Sequence, residues 1–347
     1  MTLTQNASIE ASPHTNAGRP AGQARLLASR RWLPLRELGP VATLAVLVLV
    51  FSLTSAQFLT AGNLKVVLES SAIPVVLVVG LSFILVQGSI DLSIEGVMAA
   101  SSMLVSLLIA NSVTGFDLGW WAILAGAGLG SAFGLVNGLV YTILRLPSLI
   151  VTLATWFVGL GIATLLFPGR QPQILDERLT RLALDKSLGV SALVFLALAV
   201  AALGWLLQTY TQFGRMSYAI GRDEKATRQS GQHVRFHKIL AFVLMGLVSG
   251  VGGIMISAQL AVGNPAAGEG FLFPAVSAAV IGGTLLSGGT GGVLQSIVGV
   301  FILEVLRNGM IQIGVDPYLR HVAEGLTIIA ALVIGNWSLR GRLRIVK

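Results

Sequence analysis

Cysteine is absent from the chain. That excludes a disulfide framework, a thiol nucleophile and any cysteine-built metal site. Charge is scarce: 11% of the 347 residues are Asp, Glu, Lys or Arg, where a soluble domain carries about 25%. With 54% hydrophobic residues and a mean hydropathy of +0.82, the solvent to expect is a bilayer. Catalytic signatures are missing too. No G-x-x-x-x-G-K-[ST] run exists to cradle ATP phosphates, and no G-x-S-x-G elbow exposes a serine. The four histidines, His14, His233, His237 and His321, show no H-E-x-x-H spacing. The sequence therefore reads as a non-enzyme. The net charge of +8 is no nucleic-acid footprint, because the basic residues collect at the ends of apolar runs.

What the chain does hold is apolar spans and glycine. An all-α, polytopic membrane fold follows, with about ten transmembrane helices including broken or re-entrant segments. The spans lie near 40–58, 66–87, 91–110, 120–142, 147–167, 189–209, 239–260, 274–288, 292–313 and 321–338. The eighth is too short for a straight crossing. Residues 1–39 read as a disordered cytoplasmic tail, 40–338 as the permeating domain with a polar loop over 210–238, and 339–347 as a basic cytoplasmic tail. Five Lys/Arg in the first tail, Arg145, six in 210–238 and four after 338 give sixteen on one side against six on the other. That asymmetry places both termini in the cytoplasm. Gly126, Gly130, Gly134 and Gly138 recur at every fourth position and line one helical face for close packing. Loop 168–188 is the one sizeable segment on the outer face, too small to bind a substrate by itself.

The densest charge lies within 210–238. Asp223 is placed to N-cap a helical stub of about two turns, Glu224 and Arg228 stand at i,i+4, and Gly231 suits C′. Such a stub presents Arg222, Lys225 and Arg228 and serves either as a solvated basic loop or as a docking element. Polar residues inside the spans are expensive and so are functional candidates: Gln87 and Asp91 beside a break, Asn137 at the end of span four, and Glu304 and Asn308 in span nine. Asp91 also suits the N-cap of the third span, and Glu304 is spaced to pair with Arg307. Gly88–Ser93 and Gly282–Ser287 echo each other, each interrupting an apolar helix in its own half. Ser93, Thr152, Gly282 and Gly283 complete the candidate pathway.

Four ordered motifs together resemble the membrane-spanning subunits of bacterial ABC sugar importers, the ribose/xylose/arabinose/galactoside permease family. They are Gly88-Ser89-Ile90-Asp91-Leu92-Ser93, Asn137-Gly138 with Pro147-Ser148-Leu149-Ile150-Val151-Thr152-Leu153, the stretch from Phe213 to Gly231, and Gly282-Gly283-Thr284 with Gly288-Gly289-Thr290-Gly291. Ile94-Glu95-Gly96 stands where that family has Val-Gly-Ser, and Phe273–Ser277 lacks its acidic residues. The resemblance implies an importer subunit for a small hydrophilic substrate, most simply a monosaccharide, in the bacterial inner membrane. The implied partners are a periplasmic binding protein, a second permease chain, identical or a sister, and an ATPase subunit. That ATPase, and not this chain, would bind ATP. It would dock on Arg215, Gly221, Arg222, Asp223, Glu224, Lys225, Ala226, Arg228 and Gly231. The rival reading, drawn from Asp91, Glu304 and the broken helices, is an ion-coupled secondary transporter of a small polar solute.

Overall fold

The structure, a computed structural model, describes residues 35–316, 318–319, 322–323, 325–327 and 329. Residues 1–34 of the first tail, most of the tenth span and the tail 339–347 lie outside the described residues. Twelve helices follow one another among the described residues: α1 (Leu35–Thr54), α2 (Ala61–Val86), α3 (Ile94–Leu108), α4 (Trp120–Ile143), α5 (Ser148–Leu166), α6 (Glu177–Leu184), α7 (Ala192–Tyr210), α8 (Gln212–Arg222), α9 (Glu224–Gln229), α10 (Val234–Leu260), α11 (Leu272–Ile281) and α12 (Val293–Gln312). A two-residue hairpin, β1 (Lys186–Ser187) with β2 (Val190–Ser191), joins α6 to α7.

Six of these helices, α2, α4, α5, α7, α10 and α12, are long and apolar enough to cross a membrane. Three expectations need correction. Residues 35–39 belong to α1 and not to the preceding tail. The third span starts late, α3 beginning at Ile94 after a non-helical segment, whereas the eighth is the short, broken helix its length implied, α11 stopping at Ile281. The loop 210–238 is mostly helical, with α8 and α9 inside it.

α2 and α10 form the centre. Beyond their polar first turns both are apolar on nearly every face, as a helix enclosed by other helices needs to be, and Leu77, Leu81, Phe83, Phe242 and Met245 are fully buried in the core they share with their neighbours. Along α4 the four glycines face α10 and α3, as their spacing predicts. A Cβ on Gly134 would overlap the Phe242 carbonyl oxygen, and one on Gly130 would overlap that of Gly246. Gly250 returns the contact, 2.9 Å from the Gly126 carbonyl oxygen if given a Cβ. The two helices therefore touch backbone to backbone, the arrangement small residues permit in lipid. Gly96 and Gly159 do the same for α3 and α5.

One pattern occurs twice: a long helix, a non-helical return, then a short helix. It is α2, residues 88–93 and α3 in one place, and α10, residues 261–271 and α11 in the other. The return 261–271, mostly turns, runs down α3 from its far end. Asn264 N–H donates to Ser102 Oγ at 3.3 Å, while Gly270 and Leu272 N–H both donate to Glu95 Oε1 at 3.1 Å. Glu95, buried in the first turn of α3, thus caps α11 from a neighbouring helix. The echo read between Gly88–Ser93 and Gly282–Ser287 is accordingly not a topological equivalence, since one segment precedes a short helix and the other follows one.

At the end of the bundle opposite α8 and α9, α12 is clamped to α2. Asn308 and Asn63 exchange side-chain hydrogen bonds of 2.8 and 2.9 Å, and Gln312 adds one of 2.7 Å to Asn63. Asn63→Ala leaves those buried groups unpaired, so a loss of about 1–3 kcal/mol is expected. A thermal melt of the detergent-solubilised chain, compared with Asn63→Asp and native, measures it.

Candidate translocation pathway and coupling element

The first break begins where α2 ends. Gln87 is the C-cap and Gly88, at φ +72, turns the chain, with Ser89 N–H returning to the Ile84 carbonyl at 3.1 Å. Residues 89–93 then run extended beside the start of α5. Extended backbone in a bilayer needs partners for its N–H groups, and α5 supplies hydroxyls: Ser148 Oγ accepts from Ile90 at 3.1 Å and Thr152 Oγ1 from Leu92 at 3.0 Å. Asp91 does not itself cap α3. Its Oδ1 accepts from Ser93 N–H at 2.8 Å and Ser93 Oγ at 2.6 Å, and Ser93 occupies the cap position. Asn137, from α4, donates to Ser93 Oγ at 3.0 Å. Four candidates read from sequence, Asp91, Ser93, Asn137 and Thr152, are thus gathered at one buried junction of α2, α3, α4 and α5. Asp91 Oδ2 and Asn137 Oδ1 are buried there without a hydrogen-bond partner. Both are acceptors, so the junction has capacity for hydroxyl or N–H donors.

The second break ends α11. Gly283 adopts φ +104, and Thr284 N–H returns to the Ala279 carbonyl at 2.9 Å. Gly282 packs flat on the Gln295 backbone of α12. Thr284 Oγ1 then holds Gly292 N–H and Ser296 Oγ, each at 3.1 Å, folding the glycine run back onto α12. The two breaks meet directly: Gly289 N–H donates to the Val86 carbonyl at 2.8 Å, and no side chain fits between Gly88 and Gly288.

α8 lies across both breaks. Gln87 Nε2 donates to Ser217 Oγ at 3.0 Å, Tyr218 OH donates to the Gly291 carbonyl at 2.6 Å, and Arg222 Nε reaches the Gly289 carbonyl at 3.4 Å. Gly221 sits against Val86 with no room for a side chain. α9 follows as read: Asp223 accepts from Ala226 N–H at 2.9 Å, Glu224 pairs with Arg228 at 2.6 Å, and Gly231 turns at φ +80. Arg215, Arg222, Lys225, Ala226 and Arg228 are exposed.

A second connection runs from α9 inward. Lys238 Nζ, on a side chain only 8% exposed, donates to Glu224 Oε2 at 2.7 Å and to Tyr141 OH at 2.8 Å. Ser89 Oγ donates to the same phenol oxygen at 3.1 Å. A chain of side chains, Arg228–Glu224–Lys238–Tyr141–Ser89, therefore links the exposed helix to the first break. Burial opposes ionisation of Glu224, but the hydrogen bond and charge of Lys238, with Arg228, outweigh it and hold this carboxyl below the usual range. Sequence reasoning missed α8, Tyr141 and Lys238. The signal for α8 was present in Phe213, Met216 and Ile220, which repeat at helical spacing. The remaining candidates sit apart. Glu304 is buried on α12 while Arg307 is exposed, and Asn308 belongs to the clamp with Asn63.

A bundle of apolar helices, interrupted by two breaks that meet and are tied to an exposed charged element, has the build of a multi-pass membrane permease. Family comparison states the class: the chain belongs to the family described as branched-chain amino acid transport system / permease component, whose model matches residues 63–332. It is a transport permease subunit and not an enzyme. The chain is 32% identical to the ribose import permease protein RbsC of Bacillus subtilis (strain 168), over 86% of this chain and 92% of that one. It is 30% identical to the L-arabinose transport system permease protein AraH of Escherichia coli (strain K12), over 88% and 92%. It is also 30% identical to the D-allose transport system permease protein AlsC of the same strain, over 85% and 90%. No solved structure matches the chain. Relatives of this kind do not favour the secondary-transporter reading.

Proposed function

We propose that this chain is the membrane-spanning subunit of an ATP-driven importer in a bacterial inner membrane, and that its substrate is a monosaccharide. Relatives named for ribose, arabinose and allose support the substrate class. The buried acceptors on Asp91 and Asn137 suit a ligand made of hydroxyl donors. In this reading a periplasmic binding protein delivers the sugar to the outer face, and two permease chains, identical or sister, form the pathway between them. A separate ATPase subunit binds the nucleotide and docks on α8 and α9. Both termini are cytoplasmic, as the asymmetry of Lys and Arg supports.

The observation that carries the proposal is the double tether of the exposed element. α9 reaches the first break through Lys238 and Tyr141, and α8 reaches the second through Tyr218 and Arg222. A displacement of α8 and α9 by a docked partner is therefore delivered to both interruptions of the pathway at once. Two-state elements biased in this way are what coupling requires.

The test is co-purification from detergent-solubilised membranes. Native chain is expected to bring down an ATPase, and Arg222→Glu/Lys225→Glu/Arg228→Glu to lose it while still inserting in the membrane. Equal recovery with both chains removes the docking surface but leaves the class. Absence of an ATPase from both overturns the proposal.

A further inference from the structure

The end of the bundle that carries α9 holds a cavity walled in part by the Arg228–Glu224–Lys238–Tyr141 chain and in part by two arginines no step above uses. It measures about 290 Å³ and opens between the last turn of α4, the turn into α5, α9 and the first turn of α10. Tyr141, Arg145, Glu224, Arg228, Arg235 and Lys238 are among its lining residues, four cations against one carboxylate. The two oxygens of that carboxylate are already taken by Arg228 and Lys238. Arg145 and Arg235 have no ion-pair or hydrogen-bond partner for their guanidinium groups among the described residues. The cavity therefore carries more positive charge than the carboxylates of the described residues neutralise.

Two further features say which anion. Arg145 holds φ +56, a backbone conformation that non-glycine residues rarely adopt and that glycine would fill without strain. An arginine at such a position points to a use for its side chain. Second, the sequence neighbours of the lining residues are apolar and exposed: Ile143, Leu144 and Leu146 beside Arg145, Phe236 and Leu240 beside Arg235 and Lys238. In a membrane exposed apolar side chains of this kind meet acyl chains, so apolar residues next in sequence to the cationic lining offer a lipid's tails a surface beside the cavity. Basic pockets between membrane helices on the cytoplasmic side bind lipid headgroups. We propose that the cavity holds the headgroup of an anionic phospholipid, its phosphate on Arg145 and Arg235 and its tails along Ile143, Phe236 and Leu240. On the orientation proposed above, that lipid belongs to the inner leaflet. Free phosphate would meet the same cations but gains nothing from the apolar flank.

The experiment needs neither an ATPase nor transport, so its outcome is separate from that of the proposed function. The full chain in neutral detergent is titrated with phosphatidylglycerol or with phosphatidylcholine, and bound lipid is read by native mass spectrometry. Phosphatidylglycerol is expected to be retained in preference to phosphatidylcholine. Arg145→Gln/Arg235→Gln is expected to retain it about 30-fold less tightly, a factor of about five for each cation lost. Arg170→Gln/Lys186→Gln removes the same charge from the opposite end and is expected to bind as the native chain does. Excess inorganic phosphate is expected to leave the lipid in place. Equal retention of the two lipids overturns the proposal, as does unchanged retention by the double variant. Displacement by inorganic phosphate also overturns it, making free phosphate the ligand. Melting of each variant without added lipid reports on the fold, and if the double variant melts low, Arg235→Gln alone carries the comparison.

Discussion

Gly134→Leu is expected to yield no monodisperse protein on size exclusion after detergent extraction, whereas Gly128→Leu, six residues away on α4, is expected to elute as the native chain does. The two glycines share a helix and a bilayer, so the contrast isolates what each one faces. Nothing lies within 4 Å of a Cβ built on Gly128, which is exposed on the lipid side of the helix. A leucine there gains up to about 1 kcal/mol of helix propensity over glycine. A Cβ on Gly134 instead overlaps the carbonyl oxygen of Phe242 on α10, with the Val243 Cα 2.9 Å away. Both neighbours are backbone, which cannot rotate aside as a long side chain can. Overpacking by side chains costs about 1–3 kcal/mol; here α4 and α10 must separate, and the loss exceeds that range. Gly130→Leu, facing the Gly246 carbonyl, is expected to fail in the same way.

Glu224→Gln is expected to destabilise the chain more than Glu224→Gln/Lys238→Met does. The single change leaves the ammonium of Lys238, whose side chain is 8% exposed, without a counter-charge, held by the Tyr141 hydroxyl and ring and by a neutral amide oxygen. Breaking a fully buried pair costs about 3–5 kcal/mol. Glu224 is 38% exposed, so solvent screens part of the loss and about 2 kcal/mol is the expected size. Removing both partners recovers most of it, and thermal melts of the four chains in a double-mutant cycle give the coupling directly. The pH dependence has a definite sign. A carboxyl held below its unfolded value stabilises the fold when ionised, so the contribution is present above the unfolded value of about 4.3 and is lost as pH falls through the folded one. The melting gap between native and Glu224→Gln is expected to be widest near neutrality and to close in acid. If it is unchanged across that window, the pair contributes nothing to folding.

How far the sequence reached follows from the range of the forces involved. Six spans could be read because each is a run of apolar residues long enough to cross, and the face made by Gly126, Gly130, Gly134 and Gly138 could be read from its period. The cap of α9 was legible for the same reason: Asp223, Glu224, Arg228 and Gly231 interact within one turn of each other. α8 was obscured because Arg215 and Arg222 drew attention to charge, although Met216 and Ile220 bury one face of it. The tether of Lys238 to Tyr141 joins residues 97 apart, and the capping of α11 by Glu95 joins residues 177 apart. No local pattern carries such pairings. Glu95 stood out only as a departure from a resembling family, and its role emerges once the return 261–271 is laid along α3.

α11 has a consequence for how the chain is made. Ten residues span roughly 15 Å, half a bilayer, where a helix that partitions into lipid unaided needs about 20. Its flanks, 261–271 and 282–292, are irregular, and their backbone groups find partners in Glu95, Ser102, Thr284 and Val86 rather than in a helix of their own. Alone in hydrocarbon that backbone would be unsatisfied at a cost of several kcal/mol per group. α11 therefore cannot leave the insertion machinery as an independent unit. It enters once α2 and α3, made some 200 residues earlier, stand ready to receive it. For most of these helices insertion precedes packing; for α11 the two are one event.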